Sequence, residues 1–428
     1  MFRKIILDNG IPLVIESAPN TRSVCIGIWV KVGARHEPPE KNGISHFFEH
    51  MVFKGTEKRR ARDIAIEIDS IGGELNAFTS KESTTFYVKV LDEYVEMALE
   101  LLLDIFLNST FPEGDIEKEK GIIAEEIKMV EDTPDECIHD LFNKNIWGEK
   151  GLGQPVLGKR ETIRTFTRDD IIEHVRMHYG KKNIIVACAG NLKENHIIDT
   201  LNQSLGRLER ASEEELNPKE SNVEPPPEFT GRLNIIPKDL LETHICLGVQ
   251  GLHYGSEERY SMHLLNTILG GGVSSRLFQE IREKRGLAYS IYSFNASYAD
   301  TGVWGGYAGT DRSHVGEVIN LIIDEMRGLF RNESPTEGIT AQELRRAKDQ
   351  LKGNLILSLE STSSKMINIA RQEMYYGRYF SPEEIIDAVE SVTLEDLRTL
   401  CRKLIEDGQF AITIYGPVKE KDLHSISL

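Results

Sequence analysis

The chain has no apolar run approaching the roughly 18 residues that a membrane-spanning helix requires, so it is not read as an integral membrane protein. It also has few cysteines. The five it has, Cys25, Cys137, Cys188, Cys246 and Cys401, are scattered, odd in number and without C-x-x-C spacing. That pattern speaks against a disulfide frame or a thiolate metal site and for buried small side chains in a reducing compartment. Positive charge is short as well: 51 Lys and Arg against 68 Asp and Glu leave a net charge of -17, where a general nucleic-acid binder needs a basic surface. The glycine run Gly270-Gly271-Gly272 is not followed by Gly-Lys-Ser/Thr, so it is no phosphate cradle. The amino-terminal residues run straight into an apolar strand pattern, without the apolar core of a signal peptide or an Arg/Ser-rich leader. The expectation is a cytoplasmic protein that engages neither membrane nor nucleic acid.

What remains is a long globular chain. Its 428 residues suit two or more domains, and 40% hydrophobic with 28% charged residues is a soluble composition. Strands are expected at Lys4 to Leu7 and Ile11 to Glu16 around the Asn9-Gly10 turn, then at Val24 to Val32, Gly73 to Thr79 and Thr84 to Leu91. Helical patterns cover Ala61 to Ile71 and Glu93 to Leu107, and another opens at Phe111-Pro112-Glu113. Around residues 212–229 the pattern dissolves into an acidic, proline-rich stretch that reads as a linker between residues 1–211 and 230–428. The two halves resemble each other. Thr167-Arg168-Asp169-Asp170 and Thr393-Leu394-Glu395-Asp396 are both Thr-x-x-Asp helix starts, and each leads through a helix and an apolar strand to a glycine, Gly190 or Gly416. Both landmarks recur at the same offset, 226 residues, which points to a duplicated fold.

The most informative stretch is His46-Phe47-Phe48-Glu49-His50. On a helix, positions 46, 49 and 50 share one face, so two imidazoles and a carboxylate point the same way. Two His at i and i+4 suit one divalent metal, with the Glu placed to move a proton, in the inverted H-x-x-E-H order. The plainer alternative is a solvated stripe opposite a core stripe. A catalytic zinc takes a third protein ligand. A carboxylate from the later helix is the candidate; Glu119 and Glu126 lie seven residues apart on one face, yet spacing does not separate Glu126 from Glu125. The second half lays Met262 to Ile268 on Ser45 to Met51, with Asn266 and Thr267 in place of Glu49 and His50. That copy cannot repeat the site.

These residues, with Gly33-Ala34-Arg35-His36-Glu37-Pro38-Pro39, Phe53-Lys54-Gly55-Thr56 and Ile123-Ala124-Glu125-Glu126-Ile127, resemble the pitrilysin/insulinase family of zinc metallopeptidases. The chain length is similar to that of the bacterial members related to the mitochondrial processing peptidase. The resemblance implies an α+β fold of two tandem homologous halves, each a mostly antiparallel sheet packed with helices, facing each other as a clamshell. It implies one zinc ion on His46, His50 and a Glu 76 residues after the second His, which selects Glu126. Glu49 is then the catalytic base, and Glu119 a supporting catalytic carboxylate. Arg282 and Tyr289, in Arg282-Glu283-Lys284-Arg285-Gly286-Leu287-Ala288-Tyr289, resemble the family's substrate-binding pair. Asn76 and Ala77 fall on the strand that receives substrate. The implied activity is hydrolysis of peptides or unfolded segments bound as an extended strand in a chamber between the halves. The implied assembly is a homodimer. The alternatives within the family are a processing-peptidase-like subunit that needs a partner and an inactive, substrate-presenting subunit.

Overall fold

The computed structural model describes residues 1–206, 208, 225, 229, 231–331, 338–406 and 408–419. The expected linker at 212–229 lies outside the described residues apart from Pro225 and Phe229.

In chain order the first elements are β1 (Phe2–Ile6), β2 (Pro12–Ser17), β3 (Ser23–Val30), α1 (Ile44–Met51), α2 (Ala61–Ser70), β4 (Glu74–Thr79) and β5 (Thr84–Leu91). Then come α3 (Val95–Asn108), α4 (Glu113–Glu131), α5 (Pro134–Trp147), α6 (Arg160–Thr165), α7 (Arg168–His178), β6 (Ile184–Gly190) and α8 (Glu194–Leu205). From residue 231 onward follow β7 (Leu233–Pro237), β8 (Thr243–Gln250), α9 (Arg259–Gly270), β9 (Ala288–Ser297), β10 (Gly302–Thr310) and α10 (Val315–Gly328). The chain continues with α11 (Ala341–Ser358), α12 (Thr362–Tyr376), α13 (Pro382–Ser391), α14 (Leu394–Ile405) and β11 (Ala411–Gly416). Strands and helices fall within a few residues of their expected places.

The strands make two sheets. One has six strands in the order β1-β2-β6-β3-β5-β4, and the other has five in the order β7-β11-β8-β10-β9. In the first, β2 and β6 are parallel and every other pair is antiparallel; in the second, β7 and β11 are parallel and the rest antiparallel. Without β1 the two sheets have the same order and the same directions, so the fold is duplicated.

The chain divides into two compact units. The first draws its described residues from Met1–Met129, Lys150–Glu224 and Ser358–Tyr379; the second from Val130–Glu149, Pro225–Leu357 and Phe380–Leu428. Helix α5 therefore belongs with the second sheet and α12 with the first. The strands explain why each sheet needs a second cover. Along β3, Val24, Ile26, Ile28 and Val30 face the main core of the first unit, while Cys25 and Trp29 point to the other face. There Met366, Ile369 and Ala370 of α12 cover them, together with Val14, Ile185, Ala187 and Ala189. Gly27 lies between these two side chains, where an added Cβ would stand 2.6 Å from the Met366 sulfur. In the second unit, Ile245, Leu247, Trp304, Ile412 and Ile414 form a core with α9, α10 and α14. On the opposite face α5 sets His139 and Phe142 against Tyr292, Phe294 and Tyr307.

Candidate metal centre

Helix α1 is only eight residues long, too short to persist by itself. Its apolar stripe, Ile44, Phe47, Phe48 and Met51, is buried in the core of the first unit. Its amino end is held by a carboxylate from outside the helix. Glu37 accepts hydrogen bonds from the Gly43 N–H at 2.7 Å, the Ser45 N–H at 2.8 Å and the Asn42 side-chain amide at 2.9 Å. These meet the orphan donors of a first helical turn. Burial pushes the Glu37 pKa up, and the Gly43 and Ser45 N–H groups oppose that shift. Gly43 turns the chain into the helix at φ 97°, a left-handed backbone; a Cβ there would meet the Cα of Gly158 at 2.8 Å.

On the polar side of α1, where His46 is buried and Glu49 and His50 half-buried, these residues face α4. The ring nitrogens of His46 and His50 and a carboxylate oxygen of Glu126 all lie within 4.8 Å of one another. His46 Nε2 stands 3.8 Å and His50 Nε2 3.6 Å from Glu126 Oε2. Ligand atoms around a tetrahedral zinc are separated by about 3.3 Å, so the set needs only slight closure to hold one. Burial lowers the His46 pKa to about 3, with His50 adding to the effect, which keeps that imidazole in the neutral form a metal requires. Two imidazoles and one carboxylate are a donor set that zinc accepts, so the residues present fit the ion. Glu125 is exposed and Glu126 half-buried, facing the histidines; the structure separates the two that spacing alone leaves open.

Glu119, 2% exposed, sits two turns before Glu126 on the same face of α4. Its Oε2 lies 3.0 Å from His50 Nδ1 and its Oε1 2.5 Å from Lys54 Nζ. A carboxylate on the far nitrogen of a ligand imidazole fixes its tautomer and orientation. Glu119→Gln is accordingly expected to weaken metal binding about 10- to 100-fold, read by competition with a chromogenic chelator. Unchanged affinity would leave Glu119 without this role.

Glu49 projects from α1 between the two histidines, and its Oε2 accepts a 2.6 Å hydrogen bond from Thr79 Oγ1. Burial raises its pKa, against the Thr79 bond and the nearby His50. Thr79 closes β4, the edge strand of the first sheet, which pairs only with β5 among the described residues. Asn76 and Ala77 lie on that strand. Asn76 is exposed, and its side-chain oxygen accepts from the Ala77 N–H at 2.8 Å. Arg282 and Tyr289 belong to the second unit. They meet there: the Arg282 guanidinium lies 5.0 Å from the centre of the Tyr289 ring and 4.8 Å from that of Phe278. Arg282 lies in a six-residue π-helical segment, Phe278–Glu283, and Tyr289 is 76% exposed on β9.

Three contributors were not legible beforehand as parts of the site. Glu37 had no role beyond its place in a motif. Lys54 stood only within Phe53-Lys54-Gly55-Thr56, and Thr79 only at the end of the expected strand Gly73 to Thr79. The only prior sign of Glu37 was an acidic residue before a Pro-Pro breaker.

The chain matches known proteins over nearly its full length. The family model for insulinase (peptidase family M16) matches residues 13–160, and that for the peptidase M16 inactive domain matches residues 165–351. The uncharacterized zinc protease YmxG of Bacillus subtilis is 42% identical over 97% of this chain and 98% of its own length. An uncharacterized zinc protease of Streptomyces coelicolor is 39% identical over 98% of this chain and 90% of its own length. Among solved structures, a protease from Helicobacter pylori aligns with a TM-score of 0.84 at 22% identity, over 97% of this chain and 99% of that one. A peptidase M16 inactive domain from Pseudomonas fluorescens aligns with a TM-score of 0.88 at 20% identity, over 97% and 98%. These two support the two-sheet fold alone. With full-length relatives named zinc proteases and both models matched, this chain belongs to the insulinase family, peptidase family M16.

Proposed function

We propose that the chain is a zinc-dependent endopeptidase or oligopeptidase that hydrolyses peptides or unfolded segments. The observation that carries this reading is the convergence of His46, His50 and Glu126 beside the half-buried carboxylate of Glu49. His46, His50 and Glu126 would hold a zinc ion, which would supply a Lewis acid for the scissile carbonyl and for attack by water near neutral pH. Glu49 takes the proton from the attacking water and passes it to the leaving amine. Thr79 holds one oxygen of that carboxylate and leaves the other to the proton. Glu119 keeps the His50 ring in its ligating orientation.

Substrate adds as an extended strand along the open edge of β4, near Asn76 and Ala77, where main-chain hydrogen bonds bind with little regard for sequence. Arg282 and Tyr289 of the second unit then bind substrate and stabilise the oxyanion. Metal ligands and this pair occur in one chain, which favours a self-sufficient enzyme, working as a homodimer, over a subunit that needs a different partner. All five cysteines are free, in keeping with a cytoplasmic setting. Among the described residues no helix is long and apolar enough to cross a membrane.

The test is metal content together with cleavage of a fluorogenic oligopeptide by the purified chain. About one zinc per chain, with cleavage lost on chelation and restored by metal, is the expected result. Tyr289→Phe should lower turnover in the same assay while zinc content stays unchanged. Bound zinc without cleavage would favour the partner-dependent subunit, and absence of metal would end the peptidase reading.

A further inference from the structure

The duplicated sheets differ at one edge. In the first unit β1 lies antiparallel along the outer side of β2, from Phe2 opposite Glu16 to Ile6 opposite Pro12. This added strand also reaches α12, the helix that covers the sheet, and the residues just after it. The Phe2 ring stacks on Tyr379 with centroids 4.1 Å apart, and Lys4 Nζ lies 2.7 Å from Glu373 Oε1. In the second unit β7 holds the place of β2, parallel to β11, and α5 holds the place of α12. Among the described residues nothing pairs with the outer side of β7.

A groove of about 600 Å³ runs there, lined by Leu141, Lys144 and Asn145 of α5 and by Arg232, Asn234 and Ile236 at β7. Its floor is fixed. The Asn145 side-chain amide donates to the carbonyl oxygens of Arg232 at 3.2 Å and Ile412 at 3.3 Å, and lies 3.2 Å from Thr413 Oγ1. The groove also reverses the charge of its counterpart. Where α12 offers Glu373 to the lysine of β1, α5 offers Lys144, and exposed Arg232 stands at the start of β7. The Lys144 partner, Glu149, forms an ion pair at 2.6 Å with both side chains more than half exposed, a contact that costs little to exchange.

We propose that the outer edge of β7 is a docking site for an extended acidic segment of a partner polypeptide, added antiparallel as β1 is added to β2. Main-chain groups of β7 bind its backbone, except at Pro237, which has no N–H. The strand period of two places an acidic side chain at Lys144 and Arg232 and, two residues along, an apolar one against Leu141 and Ile236. The chain's net charge of -17 does not preclude this, because exposed charges beyond about 8 Å are largely screened at physiological salt. The site consists only of second-unit residues and does not depend on the peptidase reading.

The test uses the full chain carrying Glu49→Gln, with chelator present, and two labelled ten-residue peptides. Both carry serine at every second position; on the other face apolar residues alternate with glutamate in one peptide and with lysine in the other. Fluorescence anisotropy should show the acidic peptide binding at least about tenfold more tightly. Reversing the groove with Lys144→Glu and Arg232→Glu should invert that preference while the thermal melt is unchanged, since both side chains are exposed. Binding of neither peptide, or a preference that survives the reversal, would overturn the proposal. So would binding that appears only after residues 212–224 are deleted, which would give the groove to the chain's own acidic stretch, or binding lost as the chain self-associates, which would give it to a second copy.

Discussion

Glu49→Gln is expected to reduce kcat for oligopeptide cleavage by a factor on the order of 10³ while zinc content stays the same. The carboxamide matches the carboxylate in shape and still accepts the Thr79 hydrogen bond, so α1 and its two imidazoles stay in place. It has no basic oxygen to take a proton from water. Among the described residues, no other carboxylate stands on the metal-facing side of α1. Kinetics with metal counted on the same sample separates the cases. A variant that keeps both zinc and turnover would move the base elsewhere; one that loses zinc would make Glu49 a structural residue.

Glu37→Ala should have the largest effect on the fold around the site. Its carboxylate is the acceptor for two backbone N–H groups and one amide, all in surroundings closed to water. A buried donor left without a partner costs about 1–3 kcal/mol, so losing this acceptor should cost on the order of 3–5 kcal/mol. For a unit of this size that is a drop in Tm on the order of 10 °C. Because α1 begins at these donors, metal affinity should fall as well. Glu37→Gln keeps one acceptor oxygen and should recover part of both losses. Thermal melts and zinc titrations of the two variants decide the matter: equal stability in Glu37→Ala and the parent would show that α1 holds itself.

The helix face was legible because its signal is local. Residues 46, 49 and 50 share a face on any α-helix, and the strand at Thr84 to Leu91 alternates in plain view. Pairing α1 with one residue of α4 was not local. Glu125 and Glu126 have the same chemistry, and only the rotation of α4 in the fold exposes one and turns the other to the histidines. The cap on α1 was hidden for a similar reason: Glu37 reaches a helix that starts seven residues later by way of a left-handed glycine, and no periodicity marks that path. The duplication showed in matched landmarks 226 residues apart, and the matching strand orders bear it out. No expectation covered α5 or α12. Periodicity says that a face will be buried and not which sheet buries it.

That last feature bears on synthesis. A ribosome that has released residue 211 has already made all six strands of the first sheet, but the helix that covers Val14, Cys25, Trp29 and Ala187 comes from Thr362–Tyr376. For the time taken to make some 150 further residues, at roughly 5–20 per second, the nascent sheet carries one bare apolar face. The protein cannot finish its first unit before its second is nearly complete. A stop codon at residue 212 would therefore yield a sheet with a sticky back, suited to aggregation or to chaperones, and no half-sized enzyme.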